Sequence, residues 1–437
     1  MNSVIVGNIR CFQTKQEVQL KQLNLLVGEN SSGKSTFLAV CKLAWDLANP
    51  PIQLDFNAPP FDLGAFDDIA TYRGGRGGRA HNFVIGCEVP AVYRQWVEPK
   101  DWVLGNSLRV EATFESYDAQ PCISKLCLGS GDYDIHTAGA QGQAKNFVCE
   151  FYHLGTLLTK SETEMPSVPD PMRLYYAPHM LFSPDGTTPL SSLTSKQRTA
   201  YIQLLSSTGI RQFEGPMAIA PIRTRPQRTY DPRTSAPKPE GDHVPMVLAK
   251  AKWTQSGEWR KLAQALRDFG SSSGLFDNIE VRRLGSKMSN PFQIRLKLQG
   301  PWRNLIDVGY GVNQVLPILV ECVRQPSSQV LLMQQPEVHL HPKAQAALGS
   351  FLAKAAAHAE QRLLVETHSD HLIDRVRMEV RDGNGPPPDQ VQILFFERHK
   401  SDARIYRIGF DKQGNLINAP AHYREFFLQE ENRLFGV

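Results

Sequence analysis

Two periods of apolar residues alternate along this chain. Ser3–Ile9, Gln16–Leu20 and Leu23–Val27 read as short strands separated by turns, and from Phe37 to Ala48 the spacing becomes helical. Two-residue alternation returns at Asn82–Val89, Leu108–Phe114 and Asn146–Tyr152. A helix is expected near Ser195–Ser206, and another over Glu258–Phe269, where Trp259, Leu262, Ala265 and Leu266 recur at helical spacing. Ile279–Arg283 and Phe292–Leu298 read as strands. Val330–Met333 and the run from Leu363 to His368 are apolar almost throughout, as central parallel strands are. Gln390–Arg398 and Ala403–Phe410 add two strands, Asp411–Gly414 a turn, and Ala419–Val437 a terminal helix. The pattern is weakest over residues 115–215, which include a Pro- and Ser-rich stretch from Pro166.

One stretch interrupts this pattern with chemistry. Val27–Phe37 reads VGENSSGKSTF, in which Gly28 and Gly33 bracket four residues and Lys34 and Ser35 follow. This is the complete G-x-x-x-x-G-K-[ST] spacing, with a strand before it and a helix after it. Glycines let backbone N–H groups ring a β-phosphate, and the helix start adds its positive end. Lys34 is placed for the β- and γ-phosphates and the Ser35 hydroxyl for Mg²⁺. Asn30, Ser31, Ser32, Gly33, Lys34, Ser35 and Thr36 are therefore the candidate nucleotide-binding positions.

Composition narrows the class without deciding it. The chain has 437 residues, enough for two or three domains, and its net charge of +4 permits a nucleic-acid partner without arguing for one. Seven scattered cysteines form no C-x-x-C pair, and no apolar run spans a bilayer, so a reduced, cytoplasmic protein is expected. Asn49–Arg79 is rich in Pro, Gly and Asp and ends in RGGRGGR, which reads as a flexible surface loop. Pro221–Tyr230, PIRTRPQRTY, clusters Arg223, Arg225 and Arg228 between stiffening prolines. Such arginine forks suit nucleotide phosphate, DNA or RNA, and a solvated loop is the alternative.

The hairpin leading into GENSSGKST resembles the start of cassette-like ATPases of the structural-maintenance and overcoming-lysogenization-defect type. PEVHLHP, within Val330–Gln345 (VLLMQQPEVHLHPKAQ), closely resembles an element of the overcoming-lysogenization-defect-like, AAA-type bacterial ATPases. Similar subunits occur in anti-phage systems such as Septu and PARIS. The resemblance covers roughly residues 1–90 and 215–437. It implies an α/β fold, an ABC-type P-loop NTPase core of mixed sheet and flanking helices, with an inserted α+β region. The expected division is 1–104 for the first part of the core, 105–215 for the insertion and 216–437 for the rest.

The same resemblance assigns roles. Gly309, Gly311 and Asn313 in DVGYGVNQVLPIL take the place of a signature, ahead of a helix starting near Asn313, although the sequence departs from LSGGQ. Gln334 and Gln335 occupy the strand end where relatives carry an Mg²⁺-holding acid and a water-polarising glutamate, and Glu337 is a substitute acid. Ser35 and Gln334 are the Mg²⁺ candidates, and Gln335, Glu337 and His368 the catalytic ones. Relatives commonly read EQPE, so Gln334 is expected to replace a native Glu, as is done to trap an ATP-bound state. His339 and His341 read as interface loop or, alternatively, as a metal pair.

The implied function is ATP binding and hydrolysis, slow in this sequence. ATP would be sandwiched in a homodimer or higher even oligomer that controls a separate nuclease or toxin. A nucleotide-gated scaffold and a DNA-repair ATPase are the alternatives. Only 69 residues follow His368 and none reads DxD, so a nuclease domain in this chain is not expected. No long heptad run argues for a coiled-coil arm.

Overall fold

The computed structural model describes residues 1–49, 54–90, 102–139, 146–164, 192–207, 215–233, 236–254, 257–324, 330–358, 361–423 and 433. The chain forms two compact units. The first comprises Met1–Leu20, Asn30–Gly215 and Glu397–Arg404, and the second Lys21–Glu29, Pro216–Phe396 and Ile405–Val437.

Up to Gly215 the elements are β1 (Ser3–Gly7), β2 (Gln16–Gln19), β3 (Leu23–Gly28), α1 (Lys34–Ala48), α2 (Phe66–Ile69), β4 (Asn82–Pro90), β5 (Ser107–Tyr117), β6 (Gln120–Ser130), β7 (Tyr133–Gly139), β8 (Asn146–His153), β9 (Thr156–Glu164) and α3 (Ser195–Ser207). All but β3 belong to the first unit. Its strands form one sheet in the order β2-β1-β4-β5-β6-β7-β8-β9, with every neighbouring pair antiparallel. In β5, Leu108, Val110, Ala112 and Phe114 turn inward. Phe83 and Phe114 stack there at 5.0 Å, and Phe56 meets Phe114 edge-on.

The region of weak pattern thus holds β6, β7 and β9, which sequence reading did not find. The register slips where β6 carries Ser124 and β9 carries Leu158 as an extra residue, so strict alternation breaks within those two strands. The RGGRGGR run is a closed turn. Tyr72 bridges Arg79, Arg73 Nη2 donates to Asn8 Oδ1 at 2.9 Å, and Arg79 Nη1 donates to the Ala70 carbonyl at 2.9 Å.

The second unit adds β10 (Met217–Ile219), α4 (Val244–Trp253), α5 (Gly257–Ser273), β11 (Asn278–Arg283), β12 (Phe292–Lys297), β13 (Trp302–Asn304), α6 (Tyr310–Arg324), β14 (Val330–Gln334), α7 (Pro342–His358), β15 (Arg362–Glu366), α8 (Asp370–Arg381), β16 (Val391–His399), β17 (Asp402–Phe410) and β18 (Leu416–Ile417). β11, β12 and β13 make a small antiparallel sheet. The main sheet runs β10-β14-β15-β3-β16-β17-β18, and its first five strands are parallel. The described residues therefore form a mixed α/β protein with three sheets, the fold class that the resemblance implies.

Burial explains the apolar runs. Val330–Met333 and Leu363–Val365 are enclosed on both faces. Helix α5 sends Leu262, Ala263, Leu266 and Phe269 into the same core. The one polar residue at the centre of β3, Asn24, is fully satisfied. Its Oδ1 accepts from Lys21 N and Gln392 Nε2, and its Nδ2 donates to the Lys21 and Leu363 carbonyls. Helix α6 begins at Tyr310, three residues before its expected start, and so takes Gly311 into its first turn. The stretch from Pro166 and most of the terminal helix expected over Ala419–Val437 lie outside the described residues. All seven cysteines are free, and burial pushes the thiols of Cys127 and Cys149 up to about 11 and that of Cys87 to about 12.

Candidate nucleotide site

The phosphate loop begins where β3 ends. Gly28 has φ 150°, and a Cβ there would lie 2.2 Å from the Phe396 carbonyl oxygen. Ser31 has φ 61° and Gly33 φ 103°, so the backbone turns twice through left-handed geometry before α1. A Cβ on Gly33 would meet Cys11 Sγ at 2.6 Å and Phe12 Cζ at 2.7 Å. Gly33 caps α1 with no side-chain hydrogen bond, and the first turn carries no acidic residue. The positive end of α1 therefore meets neither a side-chain cap from Gly33 nor an acidic residue of its own first turn. Asn30, Ser31 and Ser35 are exposed, while Ser32, Lys34 and Thr36 are buried. The Ser32 hydroxyl has no hydrogen-bond partner.

The second unit gathers the other candidates at the carboxyl edge of its parallel sheet, where open α/β sheets bind ligands. Gln334 at the end of β14 pairs in register with Glu366 at the end of β15, which in turn pairs with Leu26 of β3. Gln335 follows in a left-handed turn, φ 42°, and its N–H donates to the Glu366 carbonyl at 2.8 Å. Glu337 is buried, and its Oε1 accepts from the His368 N–H at 2.8 Å. Two motifs far apart in sequence are joined by that bond. Burial pushes the Glu337 carboxyl above its ordinary range, against the His368 bond and the Arg223 charge. Exposed His368 is followed by Ser369, whose hydroxyl accepts from Leu372 N and caps α8. Ser369 Oγ also donates to Gln345 Oε1 at 2.6 Å, and Gln345 Nε2 donates to the Leu340 carbonyl. PEVHLHP is pinned at both ends in this way.

The signature-like positions separate. Gly309 has open space where a Cβ would stand. Gly311 does not: a Cβ would lie 2.7 Å from the His339 carbonyl oxygen, so this glycine serves close packing against PEVHLHP. Asn313 is also spent internally, its Nδ2 donating to the Thr224 carbonyl at 2.7 Å. The three arginines part company too. Arg223 is 2% exposed and Arg225 is exposed. Arg228 forms a fork with Asp307, Nη1 to Oδ2 at 3.0 Å and Nη2 to Oδ1 at 2.6 Å, and lowers that carboxyl. Burial removes Arg223 from the surface a polymer would touch, which corrects its assignment to nucleic acid.

Magnesium takes oxygen ligands and keeps several waters. The side chains of Ser35 and Gln334 each carry a neutral oxygen of the kind Mg²⁺ accepts. No group of three or more His, Cys, Asp or Glu suited to a metal occurs among the described residues. Sequence reading missed Gln314 and Glu366. Gln314 is buried, and its amide bonds both the N–H and the carbonyl of Arg223. Glu366 is a buried acid beside Gln334, and only strand register reveals the neighbourhood.

Residues 277–374 match the family described as AAA domain, putative AbiEii toxin, Type IV TA system. That segment carries α6, β14, PEVHLHP, β15 and His368. Among solved structures, the chain is similar to an Smc head bound to the C-winged helix domain of ScpA, at 9% identity and TM-score 0.48, over 93% of this chain and 98% of that one. An Smc head with an extended coiled coil, bound to the C-terminal domain of ScpA from Pyrococcus furiosus, matches at 8% identity and TM-score 0.44, over 99% of each chain. The SMC head domain from Thermotoga maritima matches at 9% identity and TM-score 0.41, over 93% and 98%. No curated protein matches by sequence.

Proposed function

We propose that this chain is an AAA/ABC-like P-loop ATPase that binds ATP with Mg²⁺ and hydrolyses it slowly. The observation that carries the reading is the loop from Gly28 to Gly33, with its left-handed turns leading directly into the acid-free first turn of α1. The AAA-domain match over residues 277–374 supports it. The backbone of Asn30–Gly33 would cradle phosphate, Lys34 would hold its outer charge, and Ser35 with Gln334 would hold the ion. Bound Mg²⁺ would neutralise developing charge on the phosphates. Slow turnover follows from Gln334 and Gln335, since an amide orients water but takes no proton. Gln334 standing for a native Glu is part of this proposal.

Two copies would sandwich ATP, each offering the Gly309 turn to the other's phosphate loop, and assembly would control a separate nuclease or toxin in anti-phage defence. The toxin-system description of the matched family supports that direction. No helix among the described residues is long and apolar enough to cross a membrane, which supports a cytoplasmic setting. The second reading, a nucleotide-gated scaffold with little turnover, is favoured by the same two glutamines. Exposed Arg225 keeps DNA or RNA as a further partner. Titrating ATP against the parent and Lys34→Ala, then measuring phosphate release and mass with and without a non-hydrolysable analogue, tests these points. A parent that binds no ATP sinks the first reading, and one that stays monomeric with nucleotide bound sinks the sandwich.

A further inference from the structure

We infer that Arg223 is the positioning residue for the γ-phosphate end of the ATP site, acting from inside the protein through the turn after β14 and through Glu337. This rests on the ATPase reading above, but on different residues from the phosphate loop. Arg223 lies four residues beyond β10, and its Nη2 donates to two successive carbonyl oxygens, Gln334 at 3.3 Å and Gln335 at 3.4 Å. Gln335 is left-handed, φ 42°, a conformation that residues other than glycine adopt only at an energetic cost. The guanidinium therefore braces an uphill turn at the two positions expected to face water and metal.

Arg223 is itself held by α6. Its N–H donates to Gln314 Oε1 at 3.3 Å, Gln314 Nε2 donates to its carbonyl at 3.4 Å, and Asn313 fixes the next carbonyl. Arg223 Nε and Nη1 have no hydrogen-bond partner, and neither does Glu337 Oε2. The other Glu337 oxygen accepts from the His368 N–H. Arg223 and Glu337 are both buried, and through the bonds each makes they connect α6, the exit of β14 and the exit of β15. A guanidinium left with idle donors is costly to bury. Packing alone would be served better by an apolar side chain. The planar fork serves two carbonyls and still presents donors elsewhere, which a lysine ammonium does not reproduce.

The test uses the full chain with Arg223→Gln and Arg223→Lys, with Gln334→Glu added in each so that turnover is measurable. ATP and ADP affinities are titrated separately, with Lys34→Ala alongside. ADP is gripped through the β-phosphate, so its affinity should stay within about twofold, while turnover and the preference for ATP over ADP fall about tenfold or more, the range of a lost positioning contact. Arg223→Lys should recover part of the loss. An unchanged ATP-to-ADP ratio and turnover per folded molecule overturns the inference. So does an equal loss of both nucleotides that tracks loss of folded protein. If Arg223→Gln does not fold, the ATP-to-ADP ratio of Arg223→Lys decides alone. A parent that binds neither nucleotide overturns the ATPase reading, and this inference with it. A parent that binds both, with Lys34→Ala binding neither, leaves that reading standing whatever Arg223 does.

Discussion

Two glycine-bearing turns each open a helix in this chain, and their polar groups are used in opposite ways. Ahead of α1, Gly28, Ser31 and Gly33 spend conformational energy on positive-φ turns that lead into a helix with no acidic residue in its first turn. Ahead of α6, Gly311 packs on the His339 carbonyl, Asn313 bonds Thr224, and Arg228 locks onto Asp307. The first turn is shaped by its backbone, with no acid of its own at the positive end of the helix it opens. Much of the second is part of the fold, and Gly309 is its one glycine with open space. Similar sequence signals, glycines before a helix, therefore need not mean similar exposure of backbone to a ligand.

Removing charge from the first turn should have the largest effect. Lys34→Ala should abolish ATP binding, a loss of at least about 100-fold, because the phosphates lose their lysine. Gly33→Ala should do nearly as much by another route, since its Cβ would stand inside contact distance of Cys11 and Phe12 at a φ that costs about 1–3 kcal/mol. Equilibrium nucleotide titration reads both. Parent-like affinity in Lys34→Ala would break the comparison at its stronger end.

At the other edge the expected effect is on rate. Gln334→Glu restores a carboxylate at the end of β14 and should raise turnover about tenfold or more, with ATP affinity similar or better, given that a general base is worth roughly 10²–10⁴. Phosphate release under saturating ATP measures it. A parent that already turns over briskly, or a Glu variant no faster, removes Gln334 from the chemistry.

Gly309→Ala and Gly311→Ala sharpen the comparison within the second turn. The Gly311 Cβ would press on backbone, so overpacking of about 1–3 kcal/mol should exceed the gain in helix propensity and lower the urea midpoint. Gly309→Ala meets nothing within 4 Å and should leave stability within about 0.5 kcal/mol, while weakening ATP-dependent dimerisation. Equal midpoints for the two variants would mean that Gly311 is not a packing glycine.

Legibility followed the length scale of each interaction. The phosphate loop was readable because it is local: spacing, a strand before and a helix after fit within 26 residues, Leu23 to Ala48. Val330–Met333 and Leu363–Val365 were readable because burial on both faces leaves an unbroken apolar run. β6 and β9 were obscured by a register shift in each, where Ser124 and Leu158 displace alternation by a residue. Glu366 beside Gln334, and Gln314 around Arg223, arise from pairings 32 and 91 positions apart, and no local pattern encodes them. The arginine cluster was visible as composition, but its division into a buried brace, an exposed cation and a surface ion pair depended on where β10 ends.

The smallest effect concerns how Glu337 is spent. Burial raises its carboxyl pKa, with the His368 N–H and the Arg223 charge pulling the other way. A raised value means that the folded chain retains a proton which the unfolded chain has released. Between the unfolded value, about 4.3, and the raised folded value, the folded state binds more protons, so stability falls as pH rises through that window. Glutamine keeps an oxygen for the His368 N–H and has no proton to lose. Glu337→Gln should therefore remove this slope, and the stability of the variant relative to the parent should grow from about pH 4 upward until the folded carboxyl is ionised. Urea unfolding across that range, with ATP absent, measures the difference. If instead the parent gains on the variant as pH rises, the Arg223 charge outweighs burial, and Glu337 is an ionised partner of that arginine before any nucleotide arrives.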